Sequence, residues 1–172
     1  EYQGKLGATS KSPRWAISYK FKAIQVFTVL KGVQYQIGRT GSITPVACLN
    51  PVSLAGSLVS RATLHNEDFI KKLDLKIGDK VLIEKGGDVI PKVVSVDLSK
   101  RNNLCHDIQF ISHCPFCHSI LQRLDGEANH YCMNYKMCTP QKISKVQHFI
   151  SKGAMNINTL GSKTIELLFH EG

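Results

Sequence analysis

The chain has 172 residues, room for about one ordinary domain or two or three small modules at ~150 residues per domain. Its hydrophobic fraction of 42% and charged fraction of 20% are those of a packed globular protein, and they exclude a disordered chain or an extended coiled coil. The net charge of +9 points to a polyanionic partner. No apolar run approaches the ~18–20 residues that a membrane span needs, so that partner is not expected to be a bilayer.

The chain opens at Glu1, its methionines are Met133, Met137 and Met155, and no basic-then-apolar leader precedes the first element. A piece of a longer cytoplasmic protein is expected. Trp15, Ile17, Tyr19 and Phe21 alternate with Ala16, Ser18 and Lys20, the period of a half-buried strand. Ile24 to Leu30, and then Val33, Tyr35 and Ile37 set among glutamines, read as two further strands that end at Gly38-Arg-Thr-Gly41. Ile43 to Leu49 resumes β character, with Pro45 predicting an edge or a bulge.

Ala62 to His65 reads as a short strand. Asn66 is a suitable N-cap for a short helix with Glu67 and Asp68 in its first turn, ending before Lys76. Asp79 to Glu84 and Val89 to Val96 read as two more strands joined by Lys85-Gly-Gly-Asp88, a turn tolerant of positive φ. Counted from residue 32, roughly five strands and one short helix fit a Greek-key barrel of the oligonucleotide-binding (OB) kind; an SH3-like barrel has the same count. Leu98 to His113 is polar and irregular. Helical spacing then appears over 139–150 and again from Ser162 to Phe169.

Four of the six cysteines, Cys114, Cys117, Cys132 and Cys138, form Cys-x2-Cys, fourteen residues, Cys-x5-Cys. Cys-x2-Cys puts two thiolates on one knuckle, and a second pair about fifteen residues later closes a tetrahedron around Zn²⁺. Four thiolates leave no open position for water, so the zinc is structural. The second pair is widely spaced, and His113, His118 and His130 stand nearby as alternative ligands. Cys48 and Cys105 read as incidental small thiols. The fold class expected is mainly β: a five-stranded OB-fold Greek-key barrel, a small four-cysteine zinc finger and a helical C-terminal segment.

The stretches Ser12-Pro-Arg-Trp-Ala-Ile-Ser-Tyr-Lys-Phe21, Gly38-Arg-Thr-Gly-Ser-Ile-Thr-Pro-Val46, Val59-Ser-Arg-Ala-Thr-Leu-His-Asn66, Ile77-Gly-Asp-Lys-Val81 and Gly87-Asp-Val-Ile-Pro91, with the cysteine spacing, resemble the bacterial NAD-dependent DNA ligases in collinear order. The resemblance implies the last strand of an adenylation domain over 1–23, an OB-fold domain over 24–100, a zinc finger over 101–140 and the start of a helix-hairpin-helix domain over 141–172. It implies nicked double-stranded DNA as substrate, NAD and magnesium for the whole reaction, the remaining ligase domains as partners, and a monomer working in the bacterial cytoplasm. In that family a lysine in Lys-x-Asp-Gly attacks NAD, is adenylated, and passes AMP to the 5′-phosphate of a nick, which the 3′-hydroxyl then attacks. No such motif occurs here. Its nearest match, Arg123-Leu-Asp-Gly126, offers a guanidinium that is never deprotonated near neutral pH.

By the same resemblance Lys20 contacts the nucleotide phosphate, with Arg14 in the same motif; on spacing alone both read as solvated surface charges. Lys22 follows where the family usually has proline, which makes the hinge less rigid. Arg39 and Thr40, on a glycine-bounded turn, suit phosphate oxygens, and Lys85 stands where the family carries a basic residue. Val89 and Ile90 by resemblance press into the minor groove near the nick; without the resemblance both read as the start of a core strand, although alternation allows one to be core and the other exposed. In Met155 to Gly161, which resembles a helix-hairpin-helix turn, Thr159 replaces a glycine and would be strained at positive φ. A non-enzymatic OB-fold and zinc-finger adaptor fits composition and cysteines equally. The terminal strand at Trp15 and the scarcity of paired aromatics for base stacking favour the ligase.

Overall fold

Alternating apolar residues build five strands that close on themselves: β1 (Ile24–Ile37), β2 (Ser42–Leu54), β3 (Ser57–Thr63), then, after helix α2 (Glu67–Lys72) and the short β4 (Lys76–Ile77), β5 (Lys80–Lys85) and β6 (Lys92–Val96). A first helix, α1 (Tyr2–Leu6), precedes them. The computed structural model describes residues 1–19, 22–85 and 90–171. Around the ring β1 pairs with β2, β2 with β3, β3 with β6 in parallel, β6 with β5, and β5 with β1 again. This order, with a helix between the third and fourth ring strands, is the OB-fold barrel and not the SH3-like one.

Closure depends on β1. The two strands expected over residues 24–38 are one strand of 14 residues, whose register against β2 jumps between Leu30 and Gly32. Lys31 is the extra residue of a β-bulge, which bends a strand and sharpens its twist. The half before the bulge pairs with β5 and the half after it with β2, so one strand serves both ends of the ring. The barrel core is Leu30, Ala47, Leu49, Leu54, Val59, Ala62, Leu64, Val81, Ile83 and Val93, capped by Ile70 of α2 and Leu75.

Pro45 lies inside β2, opposite Tyr35 of β1, and not at an edge. Its carbonyl accepts from the Leu64 N–H at 3.0 Å, beyond the last residue of β3. The imino nitrogen of Pro45 faces Leu64, one residue past the end of β3, whose carbonyl instead accepts from the Asn66 N–H at 2.7 Å, so the missing donor leaves no acceptor unpaired. The N-cap is as expected: Asn66 Oδ1 accepts from the Phe69 N–H at 2.9 Å. The strand expected over Trp15–Phe21 is absent from its described residues, 15–19. Trp15 is 46% and Ile17 97% exposed, because a strand needs a hydrogen-bonded neighbour and no described strand lies beside this segment.

Beyond the ring come β7 (His106–Asp107), which pairs with β4, then β8 (Leu121–Arg123), β9 (His130–Cys132), α3 (Thr139–Ile150) and α4 (Ser162–Glu171). The chain leaving the barrel is pinned by Arg101. Its guanidinium donates to both carboxylate oxygens of the fully buried Asp79 at 2.9 and 2.8 Å and also to Asp74. Asp79 accepts a further bond from the Lys76 N–H at 2.7 Å. Arg101→Ala leaves the buried carboxylate without its counter-charge, and a loss of about 3–5 kcal/mol is expected; urea unfolding measures it, and a change below 1 kcal/mol contradicts this role.

Candidate metal centre and nucleic-acid interface

The four cysteines converge. The sulfurs of Cys114, Cys117, Cys132 and Cys138 all lie within 4.8 Å of one another, with Cys117 to Cys132 at 3.4 Å and Cys114 to Cys138 at 4.0 Å. Zn–S bonds of about 2.3 Å in a tetrahedron put sulfurs ~3.8 Å apart, so the spacing fits that ion. Cys114, Cys132 and Cys138 are buried. None of His113, His118 and His130 belongs to the cluster, which closes the question left by the wide second pair.

Local chemistry shapes each half. At the knuckle the Cys117 N–H points to the Cys114 sulfur at 3.4 Å, and the His118 N–H bonds the Cys114 carbonyl at 3.0 Å. Cys132 ends β9, and Cys138 is the N-cap residue of α3, whose Pro140 suits the first turn. Asn134 spans the gap: its amide donates to the Ser119 hydroxyl at 3.0 Å and its side-chain oxygen accepts from the Met137 N–H at 3.2 Å. The buried Gln141 donates to the Cys132 carbonyl at 2.9 Å.

Burial opposes ionisation of these thiols. It pushes Cys132 up to about 12 and raises Cys138. At Cys117 burial pushes the same way, but hydrogen bonds from the Ser119 side chain and backbone and from the neighbouring thiols outweigh it and hold the group at about 6. Four thiolates can occupy this volume only around a cation, and zinc supplies that charge. The centre is a structural zinc site.

The zinc module is not a separate bead. Ser42 and Ile43 of β2 pair with Tyr131 and His130 of β9, so the barrel sheet continues through β9 to β8. Ile43, fully buried, packs with Cys114, Leu121, Cys132 and Cys138, and Tyr35 and Ile37 of β1 line the same small core. Gly41 makes the approach possible. It has φ +86°, its carbonyl accepts from the Cys132 N–H at 2.9 Å, and a Cβ there would lie 2.3 Å from the Cys132 carbonyl oxygen. Across the other side of the junction Arg123 of β8 grips both carboxylate oxygens of Asp68 on α2, at 2.9 and 2.5 Å, and His130 lies 3.5 Å from Glu67.

The other residues singled out from sequence fall into two groups. Arg39 and Thr40 are exposed on the β1–β2 turn, beside the zinc module. Within that turn the Gly38 and Gly41 N–H groups are already used, bonding Ser42 and Gly38 carbonyls. Lys85 pairs with Ile24 at the far end of β1 and donates to the Ser57 hydroxyl at 2.9 Å. Ile90, 73% exposed, lies near that end. The two groups lie at opposite ends of the 14-residue β1, one beside the zinc module and one beside β5, and are not one patch. Arg14 is exposed, its N–H bonded to the Gly7 carbonyl at 3.0 Å. Lys20, Val89 and the turn before Val89 lie outside the described residues. Thr159 has φ +70°, so the threonine does occupy a strained left-handed position. The sequence does not mark Gly41, Asp68, Arg123 or Gln141 as site residues: Gly41 frames a motif, Gln141 stands three residues after a ligand at a helix start, Asp68 reads only as a first-turn helix acid and Arg123 only as a failed match to a nucleophile motif.

Fold and site together define an OB-fold protein that shares one sheet with a four-thiolate zinc finger. Residues 27–104 match the NAD-dependent DNA ligase OB-fold domain, and residues 113–139 match the NAD-dependent DNA ligase C4 zinc finger domain. Similar proteins include the DNA ligases of Flavobacterium psychrophilum (56% identical over 99% of this chain and 26% of that protein), Phocaeicola vulgatus (54%, over 99% and 26%) and Chlorobaculum tepidum (53%, over 98% and 25%). The chain belongs to the NAD-dependent DNA ligase family, as its OB-fold and zinc-finger portion, and it spans about a quarter of the length of these curated relatives. No helix among the described residues is long and apolar enough to cross a membrane.

Protein prepared without chelator is expected to carry one zinc per chain, and Cys138→Ser to hold less than half of one; a parent chain below half an equivalent contradicts the site. Gly41→Ala is expected to remove hydrogen-exchange protection at the β2–β9 pairing while leaving the β1–β5 ladder protected. The Arg123 guanidinium holds the Asp68 carboxyl below its ordinary value of 3.8. Stabilisation from this pair is therefore present above that pH and lost as pH falls through the depressed value. Asp68→Asn should narrow the difference in unfolding midpoint between pH 6 and pH 3.

Proposed function

We propose that this chain is the duplex-gripping portion of an enzyme that seals nicks in double-stranded DNA through enzyme-adenylate and DNA-adenylate intermediates, using NAD as AMP donor and magnesium for the whole reaction. The observation that carries the reading is the match of both modules, barrel and finger, to the same ligase family in the same order. The enzyme works in the bacterial cytoplasm as a monomer, and this portion acts together with the other ligase domains.

The residues divide the work by position. The exposed guanidinium of Arg39 and hydroxyl of Thr40 suit phosphate oxygens next to the zinc finger, and Lys85 offers a point charge at the opposite end of β1. Ile90, with Val89, supplies an apolar contact that widens the minor groove; the unstacking it causes is offset by wider contact with the bent duplex. Lys20 neutralises charge on the nucleotide phosphate as it is transferred, with Arg14 supporting it. The zinc holds the finger at a fixed angle to the barrel and takes no part in the chemistry. The adenylated lysine is not among these residues, since no Lys-x-Asp-Gly occurs in the sequence.

Two measurements test this. The chain should bind nicked duplex more tightly than single-stranded DNA of equal length, with affinity falling steeply as salt rises; preference for the single strand would contradict the reading and favour an adaptor. Incubated with NAD labelled in its adenylate, the isolated chain should incorporate no label.

A further inference from the structure

Charge is distributed unevenly along this chain. Between Glu127 and Glu166 there is no aspartate or glutamate, and the stretch carries Lys136, Lys142, Lys145, Lys152 and Lys163. Four lysines of the barrel region are different: Lys71 pairs with Glu67, Lys76 with Asp107, Lys80 with Asp97 and Lys92 with Glu84, at 2.8 to 3.6 Å. Among the described residues, none of the five lysines of the acid-free stretch has a carboxylate partner. A lysine already paired with a carboxylate carries little net field, whereas an unpaired row attracts a polyanion.

Three of the five form one surface. Lys142 and Lys145 stand three apart on α3 and so share a face; Lys145 is exposed and Lys142 half-buried. The Lys145 ammonium lies 5.0 Å from the centroid of the Tyr135 ring, which carries the face onto the zinc finger, where Tyr135 is followed by the exposed Lys136. The helix is fixed beside this face: Gln141, one turn before Lys145, and Ile143 are buried, and Gln141 bonds the carbonyl of a zinc ligand. The helix cannot roll these lysines away without disturbing the metal site. Zinc thus orients a basic helix face as well as stapling a loop.

We infer that Lys136, Lys142 and Lys145 form a phosphate-tracking surface for double-helical DNA across the zinc finger and α3, separate from the barrel residues Arg39 and Lys85. The inference rests on the proposed function. Its contacts are with the phosphate backbone, so they add affinity and salt dependence without base preference.

The test uses the 172-residue chain and a nicked duplex, with binding measured across a salt series. Each phosphate contact contributes about 0.9 to the slope of log affinity against log salt. Substituting all three lysines (Lys136→Gln, Lys142→Gln, Lys145→Gln) should flatten the slope by about 2 to 3 and weaken binding to every duplex sequence alike. Zinc content and circular dichroism report that the variant is folded. Lys71→Gln, already answered by Glu67, should leave the slope unchanged. If the parent binds and the triple variant keeps its slope, the inference is overturned while the ligase reading stands; if the parent shows no salt-dependent duplex binding, both fall. A slope lost equally in Lys71→Gln would show that only total charge matters, and would also overturn it.

Discussion

Four sulfurs packed within 4.8 Å, three of them on buried cysteines, form an arrangement that the protein alone cannot hold as thiolates. Burial drives two of the four toward the protonated form, and the one with good donors ionises by itself. A divalent cation reverses this, because the attraction of four thiolates to Zn²⁺ far exceeds their mutual repulsion and desolvation. Much else is arranged around that ion. Cys132 fixes β9 against the barrel, Cys138 starts α3, and Gln141 ties the two together through a carbonyl.

The ion also explains why barrel and finger behave as one body. The small core beneath the metal contains Ile43, Tyr35 and Ile37 from the barrel strands. A finger this small buries too little apolar surface to fold alone, and here it takes part of its core from its neighbour. Sheet continuity through Ser42 and Ile43, the close approach at Gly41 and the Arg123–Asp68 pair restrain the junction from three sides. Arg39 and Thr40, on the turn wedged against Cys132, therefore keep a fixed relation to α3. A rigid junction lets phosphate contacts on separate modules add up along one duplex, since little freedom is left to lose on binding.

Much of this was legible in the sequence, for reasons that can be stated. Strand periodicity survives because half-buried strands alternate, and the Asn66 cap because an orphan N–H needs an acceptor close in sequence. The metal site was readable because thiolate spacing is set by a tetrahedron. What escaped was long-range. Nothing local distinguishes a break at Lys31 from a bulge inside one strand, and Pro45 reads as an edge until β3 is seen to end beside it. The segment from Trp15 has the pattern of a strand, but a pattern cannot supply a neighbour to pair with. In the sequence Arg123 matches only a nucleophile motif that it fails to complete, while its contact in the fold, Asp68, lies 55 residues away.

Barrel tip, finger and helix are all organised by one all-thiolate zinc. Zinc K-edge X-ray absorption on the purified chain tests it most directly. Four sulfur scatterers at about 2.3 Å and no nitrogen or oxygen in the first coordination sphere are predicted. A histidine nitrogen or a water in place of one sulfur would contradict it.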